Sequence, residues 1–315
     1  MKTAAKIRSL ASVDGKDICH TICLHPDLQM IHSILYIESK IAPTVSIRAW
    51  AIMFFWTDTN VFHFSLPITN ADIIVLLKQY LYNKLSLNYS KTVYMIFNSD
   101  KKQGSPFRVQ IGSNQINRVH STKYLGMHLD NKLNWDTHIS KLESKLSCYS
   151  GIFYRIWEYL STNELKMIFF SLVYSHLQYA VGAWGSATKN SQHRLNTIHN
   201  KIIKTISWSS YQCHVTPLYS QLNLLKLEDI HQLEIAKLMH NFHSNRMPNT
   251  FDRLFTPVNS VHTHETRSST SGQYFCHPVC SQYGKRSIKF KGPRIWQQID
   301  SSLKGIASSH LQKTI

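Results

Sequence analysis

Four groups of residues have types and spacings that chemistry could use. Cys19-His20 with Cys23 and His25, and Cys276-His277 with Cys280 near His262 and His264, offer thiolate and imidazole, the ligand types of a tetrahedral zinc site. No turn-forming glycine shapes a knuckle at the first group, and the spacing of the second is not that of a knuckle, so both favour an incidental reading. Arg194, Thr197, Lys201 and Lys204 lie along one face of a helical pattern that buries Leu195, Ile198, Ile202 and Ile206 on another. That stripe suits either a phosphate backbone or an ordinary solvated face. Lys285, Arg286, Lys289, Lys291 and Arg294 interleave with Phe290 and Trp296, a composition suited to phosphate contact plus stacking on unpaired bases; Trp296 serves equally as a core anchor.

The whole chain carries the same bias. Thirty-five Lys and Arg against 18 Asp and Glu give a formal charge of +17 and a pI near 9.6 over 315 residues. Such an excess selects polyanionic partners, RNA or DNA first; the alternative is a basic but inert surface. Hydrophobic residues make up 43%, enough for a real core. No run approaches a membrane span, the amino terminus meets charge before any apolar stretch, and six scattered Cys fit free thiols. These features predict an intracellular protein, nuclear or cytoplasmic, with no membrane partner and no small-molecule substrate.

The elements that must position these groups read as follows. Residues 1–44 carry no assignable pattern. Val45 to Phe64 is two apolar runs rich in aromatic and β-branched residues separated by the polar Thr57-Asp58-Thr59-Asn60, a β-hairpin. Ala71 to Lys84 is a helix with Ile73, Ile74, Leu77 and Leu81 on one stripe, and Lys84 to Phe97 runs into a strand. Phe107–Ile111 and Gln115–Val119 flank Gly112-Ser113-Asn114 as a hairpin with a three-residue loop, and Tyr124 to Leu129 adds a strand to the same antiparallel sheet. Asp130-Asn131-Lys132 turns the chain. The period then changes: Trp135, Ile139, Leu142, Leu146, Tyr149, Phe153 and Ile156 recur at steps of four and three, a helix with Asn134 at its cap. Ser161 with Glu164 is a capping box for a segment apolar nearly all round, through Leu165, Phe169, Val173 and Leu177. A further helix carries Ile230, Leu233, Leu238 and Phe242, and Pro248 to Gln273 reads as a long, partly mobile loop.

The order of these motifs resembles the reverse transcriptases of non-LTR (LINE/jockey-like) retrotransposons. Phe55-Trp56-Thr57-Asp58 matches the family's hairpin with paired Asp; Lys84-Leu-Ser-Leu-Asn with Lys91-Thr92 matches its fourth palm motif. Tyr124-Leu125-Gly126 matches its primer grip, the helix from Trp135 its first thumb helix, and Gly292-Pro-Arg-Ile-Trp296 its basic end. The resemblance implies an RNA-directed DNA polymerase in which Asp58 helps hold Mg²⁺, Lys91 assists the leaving pyrophosphate, and Tyr124 and Gly126 support the primer end.

This chain departs from that pattern where it matters. Thr57 stands where the family has its first Asp, Trp56 where it has a small residue, and neither the earlier Asp strand nor the Gly-rich segment is found. Two-metal phosphoryl transfer needs several converging carboxylates, and a Thr hydroxyl brings neither their charge nor their second oxygen. The reading is therefore an α+β chain: 1–44 unassigned, 45–132 a partial palm sheet, 133–247 a helical thumb, 248–315 a loop and basic C-terminal region. It predicts a catalytically silent fragment that binds nucleic acid through basic surfaces and needs no cofactor. The alternatives are a component of a longer LINE polymerase, which would use Mg²⁺, and an inert element-derived product.

Overall fold

The computed structural model describes the backbone of residues 50–54 and 61–65, and residues 88–89, 91–97, 109–111, 113–248, 251–261, 272–300 and 304. The predicted helix at 71–84, the Cys19–His25 grouping, His262, His264 and the hairpin tip with Thr57 and Asp58 lie outside the described residues.

Strands β1 (Trp50–Phe54) and β2 (Val61–Ser65) pair antiparallel with Phe54 opposite Val61, the pairing expected of two runs rich in aromatic and β-branched residues. β3 (Val93–Phe97) pairs antiparallel with β1, placing Val93 opposite Phe54. β4 (Val109–Ile111) and β5 (Asn114–Arg118) complete a sheet of order β2-β1-β3-β5-β4. Two expectations change here. Asn114 pairs with Ile111, where a three-residue loop would set Gln115 opposite it, and β5 joins β3 in parallel through Val93 and Asn117. Tyr124 to Leu129 is not one strand of that sheet. β6 (Ser121–Tyr124) and β7 (Met127–Asp130) form a separate hairpin that turns on Leu125 and Gly126. Both turn residues have positive φ, 44° and 81°, as a two-residue hairpin turn with right-handed strand twist demands.

Asp130, the last residue of β7, starts the helical half. Its Oδ1 accepts from the backbone N–H groups of Lys132 (3.0 Å) and Asn134 (3.1 Å), and its Oδ2 from Trp135 (2.8 Å). Asn134 is therefore not the cap of helix α1 (Asp136–Ile156); Trp135 occupies that position at φ 67° with no side-chain cap of its own, and Asp130 holds its N–H and those of the turn before it. The expected face holds: Trp135, Ile139, Leu142, Leu146 and Phe153 are buried, with Tyr149 and Ile156 packed against them.

The next segment begins with the expected capping box, Ser161 N–H on Glu164 Oε2 at 2.7 Å, and runs as α2 (Thr162–Ile168), a π-helical stretch (Phe169–Tyr174) and α3 (Ser175–Gln178). The widened stretch follows from the pattern. Leu165, Phe169, Val173 and Leu177 are all fully buried at spacings of four, which in a pure α-helix drift by about 40° per step. A π stretch offsets that drift. The segment is not buried on every side, since the apolar Met167 and Phe170 are exposed.

After α4 (Val181–Trp184), helix α5 (Lys189–Ile206) packs parallel to α1. Ser191 Oγ donates to Asp136 Oδ1 (2.6 Å) near their starts, and Trp157 meets Trp208 edge to face at 4.7 Å near their ends. α6 (Val215–Leu222) and α7 (Leu227–His243) close the main core. The far half of α7 supplies Ile235, Leu238 and Met239 to a second core with Phe251, Phe255, Tyr274, Ile288 and Trp296. The segment after Pro248 is thus ordered in part: Phe251 and Phe255 are buried, Pro257 bridges Tyr274, and α8 (Val258–Val261), α9 (Gln282–Arg286) and α10 (Ile288–Gln298) follow. Gly292 explains the Gly-Pro-x-Ile-Trp motif, because a Cβ there would sit 2.8 Å from Met239 Sδ and 2.9 Å from Phe255 Cε1.

Candidate nucleic-acid interface

The residues singled out from sequence fall in different places. Lys91 lies in the turn entering β3, its N–H donating to Asn88 O (3.2 Å) and Oδ1 (3.3 Å). The register puts it at the end of the sheet from which the chain enters residues 55–60. Tyr124 is buried in the main core, and Gly126 is exposed at the hairpin turn. Tyr179, at the end of α3, covers that turn: its hydroxyl donates to Leu125 O at 2.5 Å, and its ring would stand 3.4 Å from a Cβ on Gly126.

The stripe on α5 is partly occupied by its own neighbours. Arg194 pairs with Glu143 at 3.2 Å; Lys204 donates to the Tyr211 carbonyl and sits 5.2 Å over its ring; Lys201 is exposed. At the carboxyl end, Lys285 and Arg294 are exposed while Arg286, Lys289 and Lys291 are half-buried. Arg294 lies over the Phe290 ring at 5.2 Å. Trp296 is a core anchor and not a stacking platform: it is fully buried, with Nε1 donating to Gly272 O at 3.2 Å. Cys276 turns its thiol toward Phe290 O at 3.9 Å, and among the described residues no group of three His, Cys, Asp or Glu is placed to hold a metal.

Sequence reasoning missed a different cationic surface. On the β6–β7 hairpin, Lys123 stands directly across from His128. From α1, Lys141 brings its Nζ to 3.1 Å from His128 Nε2 and 3.4 Å from Nδ1. Lys145 follows one turn on, then Tyr149, whose hydroxyl meets His176 Nε2 at 3.0 Å with the two rings stacked. Among the described residues none of these lysines has a carboxylate partner within ion-pair distance. Burial lowers the pKa of His128, and Lys141, Lys123 and Lys145 lower it further; burial and then Lys145 do the same to His176. The face is a row of cations with neutral imidazoles between them, which is what an incoming phosphate backbone would neutralise. The one sequence signal was Lys141 and Lys145 at i, i+4; the contribution of Lys123 and His128 depends on a hairpin that reads as a single strand.

No family model matches the chain. It is similar to the "Probable RNA-directed DNA polymerase from transposon X-element" of Drosophila melanogaster, 24% identical over 180 residues, 56% of this chain and 19% of that protein. It is also similar to the "Probable RNA-directed DNA polymerase from transposon BS" of the same species, 23% identical over 150 residues, 46% of this chain and 16% of that protein. A third relative, the "RNA-directed DNA polymerase from mobile element jockey" of Drosophila funebris, is 26% identical over 137 residues, 42% of this chain and 15% of that protein. The matched segment thus spans less than a fifth of the length of each relative. All three names are those of reverse transcriptases of non-LTR, jockey-type transposons, the group whose motif order this chain resembles. Among the described residues no helix is long and apolar enough to cross a membrane.

Proposed function

We propose that this reverse-transcriptase-like chain acts by holding RNA or DNA and does not by itself polymerise nucleotides. The observation that carries the binding half is the Lys123, His128, Lys141 and Lys145 face, a surface of positive charge with no acidic partner in contact among the described residues, set across the junction of the hairpin and α1. Tyr179, locked over Gly126, holds that hairpin against the helical bundle, so the cations keep a fixed spacing. The silent half rests on Thr57, which replaces a metal-binding carboxylate beside Asp58.

A second reading rests on how small a part of its relatives the chain matches. Within a longer polymerase the same face would lie along primer and template, with Mg²⁺ held by carboxylates that this chain does not supply.

The test is direct. Binding of a labelled RNA and of a DNA duplex is measured across about 50 to 200 mM salt, where phosphate-driven affinity falls steeply. Weak binding with a flat salt response would exclude the binding function. Incubation with a primed RNA template, Mg²⁺ and nucleotides should extend no primer, and templated synthesis by the purified chain would refute the silent half.

A further inference from the structure

The parallel packing of α1 and α5 brings two helix carboxyl ends side by side, and that end of the bundle has an unusual surface. Trp157 closes α1 and is half-buried; Trp208, in the loop that ends α5, lies against it and is still 53% exposed. Three residues on, Tyr211 is 86% exposed, its backbone carbonyl held by Lys204 and one ring face covered by the same ammonium. Lys201, one turn earlier on α5, is exposed. Two exposed rings close together, and not one alone, mark a surface on which a partner can stack.

Charge decides what that is. From Leu165 to Leu227 the sequence contains no Asp or Glu, while Lys166, Lys189, Arg194, Lys201, Lys204 and Lys226 fall inside it. A ring covered on one face by Lys204, in an acid-free stretch of sequence, matches a single-stranded nucleic acid, whose bases stack on open π faces and whose phosphates meet the lysines, even though α1 brings the exposed Glu158 next to Trp157. A protein partner would need acidic groups to suit the same ground, and a second copy of this chain would bring the same cations against them. We propose that Trp208 and Tyr211 are a stacking platform for unpaired bases of RNA or DNA, with Lys201 and Lys204 contacting the flanking phosphates. The proposal rests on the nucleic-acid-binding reading and extends it: the Lys141 face is indifferent to strandedness, and this end of the bundle selects single strands.

The experiment compares an oligouridine 20-mer with a blunt RNA duplex of the same length. The proteins are the full chain, the Trp208→Ala/Tyr211→Ala variant, the Trp208→Phe/Tyr211→Phe variant and Lys141→Glu/Lys145→Glu, each with a thermal melt to establish folding. Removing the rings should weaken oligouridine binding about tenfold or more while duplex affinity stays within about twofold. The Phe variant should retain most single-strand affinity, which a purely structural role for the indole and phenol would not grant. Equal loss on both ligands, no loss on either, or a concentration-dependent dimer of the full chain abolished by the Ala variant would each overturn the platform. Duplex binding that survives in the Ala variant and falls in the Glu variant leaves the broader reading standing whatever the oligouridine does. Failure of the full chain to bind either ligand removes both.

Discussion

Tyr179 closes the hairpin turn from above, donating its hydroxyl to Leu125 O at 2.5 Å while its ring covers Gly126. The turn therefore has two supports that meet at Gly126, its own left-handed backbone and a contact from a residue 54 positions later. Tyr179→Phe removes one hydrogen bond and should cost about 0.5–1.5 kcal/mol. Gly126→Ala places a side chain at φ 81° and against the Tyr179 ring, and should cost about 1–2 kcal/mol. Urea unfolding of the two single variants and the double should show coupling, since both act on one contact. Strict additivity would mean that the Tyr179 hydroxyl and the Gly126 turn do not share one contact.

Asp130 supplies a second testable support. It accepts three backbone N–H groups where β7 turns into α1, and these donors have no helical acceptor of their own. Asp130→Ala should destabilise the chain by about 1–3 kcal/mol, and Asp130→Asn, which keeps one oxygen acceptor, by less. Matching losses for Ala and Asn in urea unfolding would contradict a capping role.

How much of this was legible in the sequence depends on the range of the interactions. The buried face of α1 and the capping box at Ser161 are local and could be read from spacing. The hairpin at Leu125-Gly126 could not, because the turn sits inside an apolar run and Leu is no turn residue; only Gly126 gave a hint. The parallel pairing of β5 with β3 and the meeting of Lys141 with His128 depend on tertiary placement that no period encodes. Trp296 was legible only as a choice of two roles, stacking or core anchor, because its cationic neighbours in sequence suit either; packing decides it, and the second core takes the ring.

Buried imidazoles predict the response to acid. Burial holds His138 and His199 down to about 4, and burial followed by Lys291 holds His231 down to about 3. The minor contributions of His128 and Lys145 act on His138 in the same sense. In the unfolded chain each titrates near its ordinary 6.5. Below that pH the unfolded state takes up protons that the folded state refuses, so stability is greatest above it and falls as pH drops toward 4. The loss should approach about 1.4 kcal/mol per pH unit for each histidine. Urea midpoints at pH 7, 6 and 5 should fall in that order, and a level series would mean these rings are hydrated and not buried.

The cationic face makes the sharpest functional prediction, because charge and protonation there work in the same direction. Reversing Lys141 and Lys145 to Glu places two acids beside His128 and should weaken RNA and duplex DNA binding alike, with a shallower dependence on salt. Each lost phosphate contact lowers the slope on duplex by roughly 0.9. His128 adds a pH dependence of definite sign. Burial and three lysines keep it neutral in the free chain, whereas a phosphate among those lysines offsets their field and favours its protonated form. Binding should therefore take up protons, and affinity at fixed salt should rise as pH is lowered from about 7 toward 6. His128→Gln should remove much of that rise while leaving the salt slope near that of the full chain. Affinity that does not change with pH in the full chain would mean that phosphate does not reach the imidazole, and the contact would then lie with Lys145 and beyond.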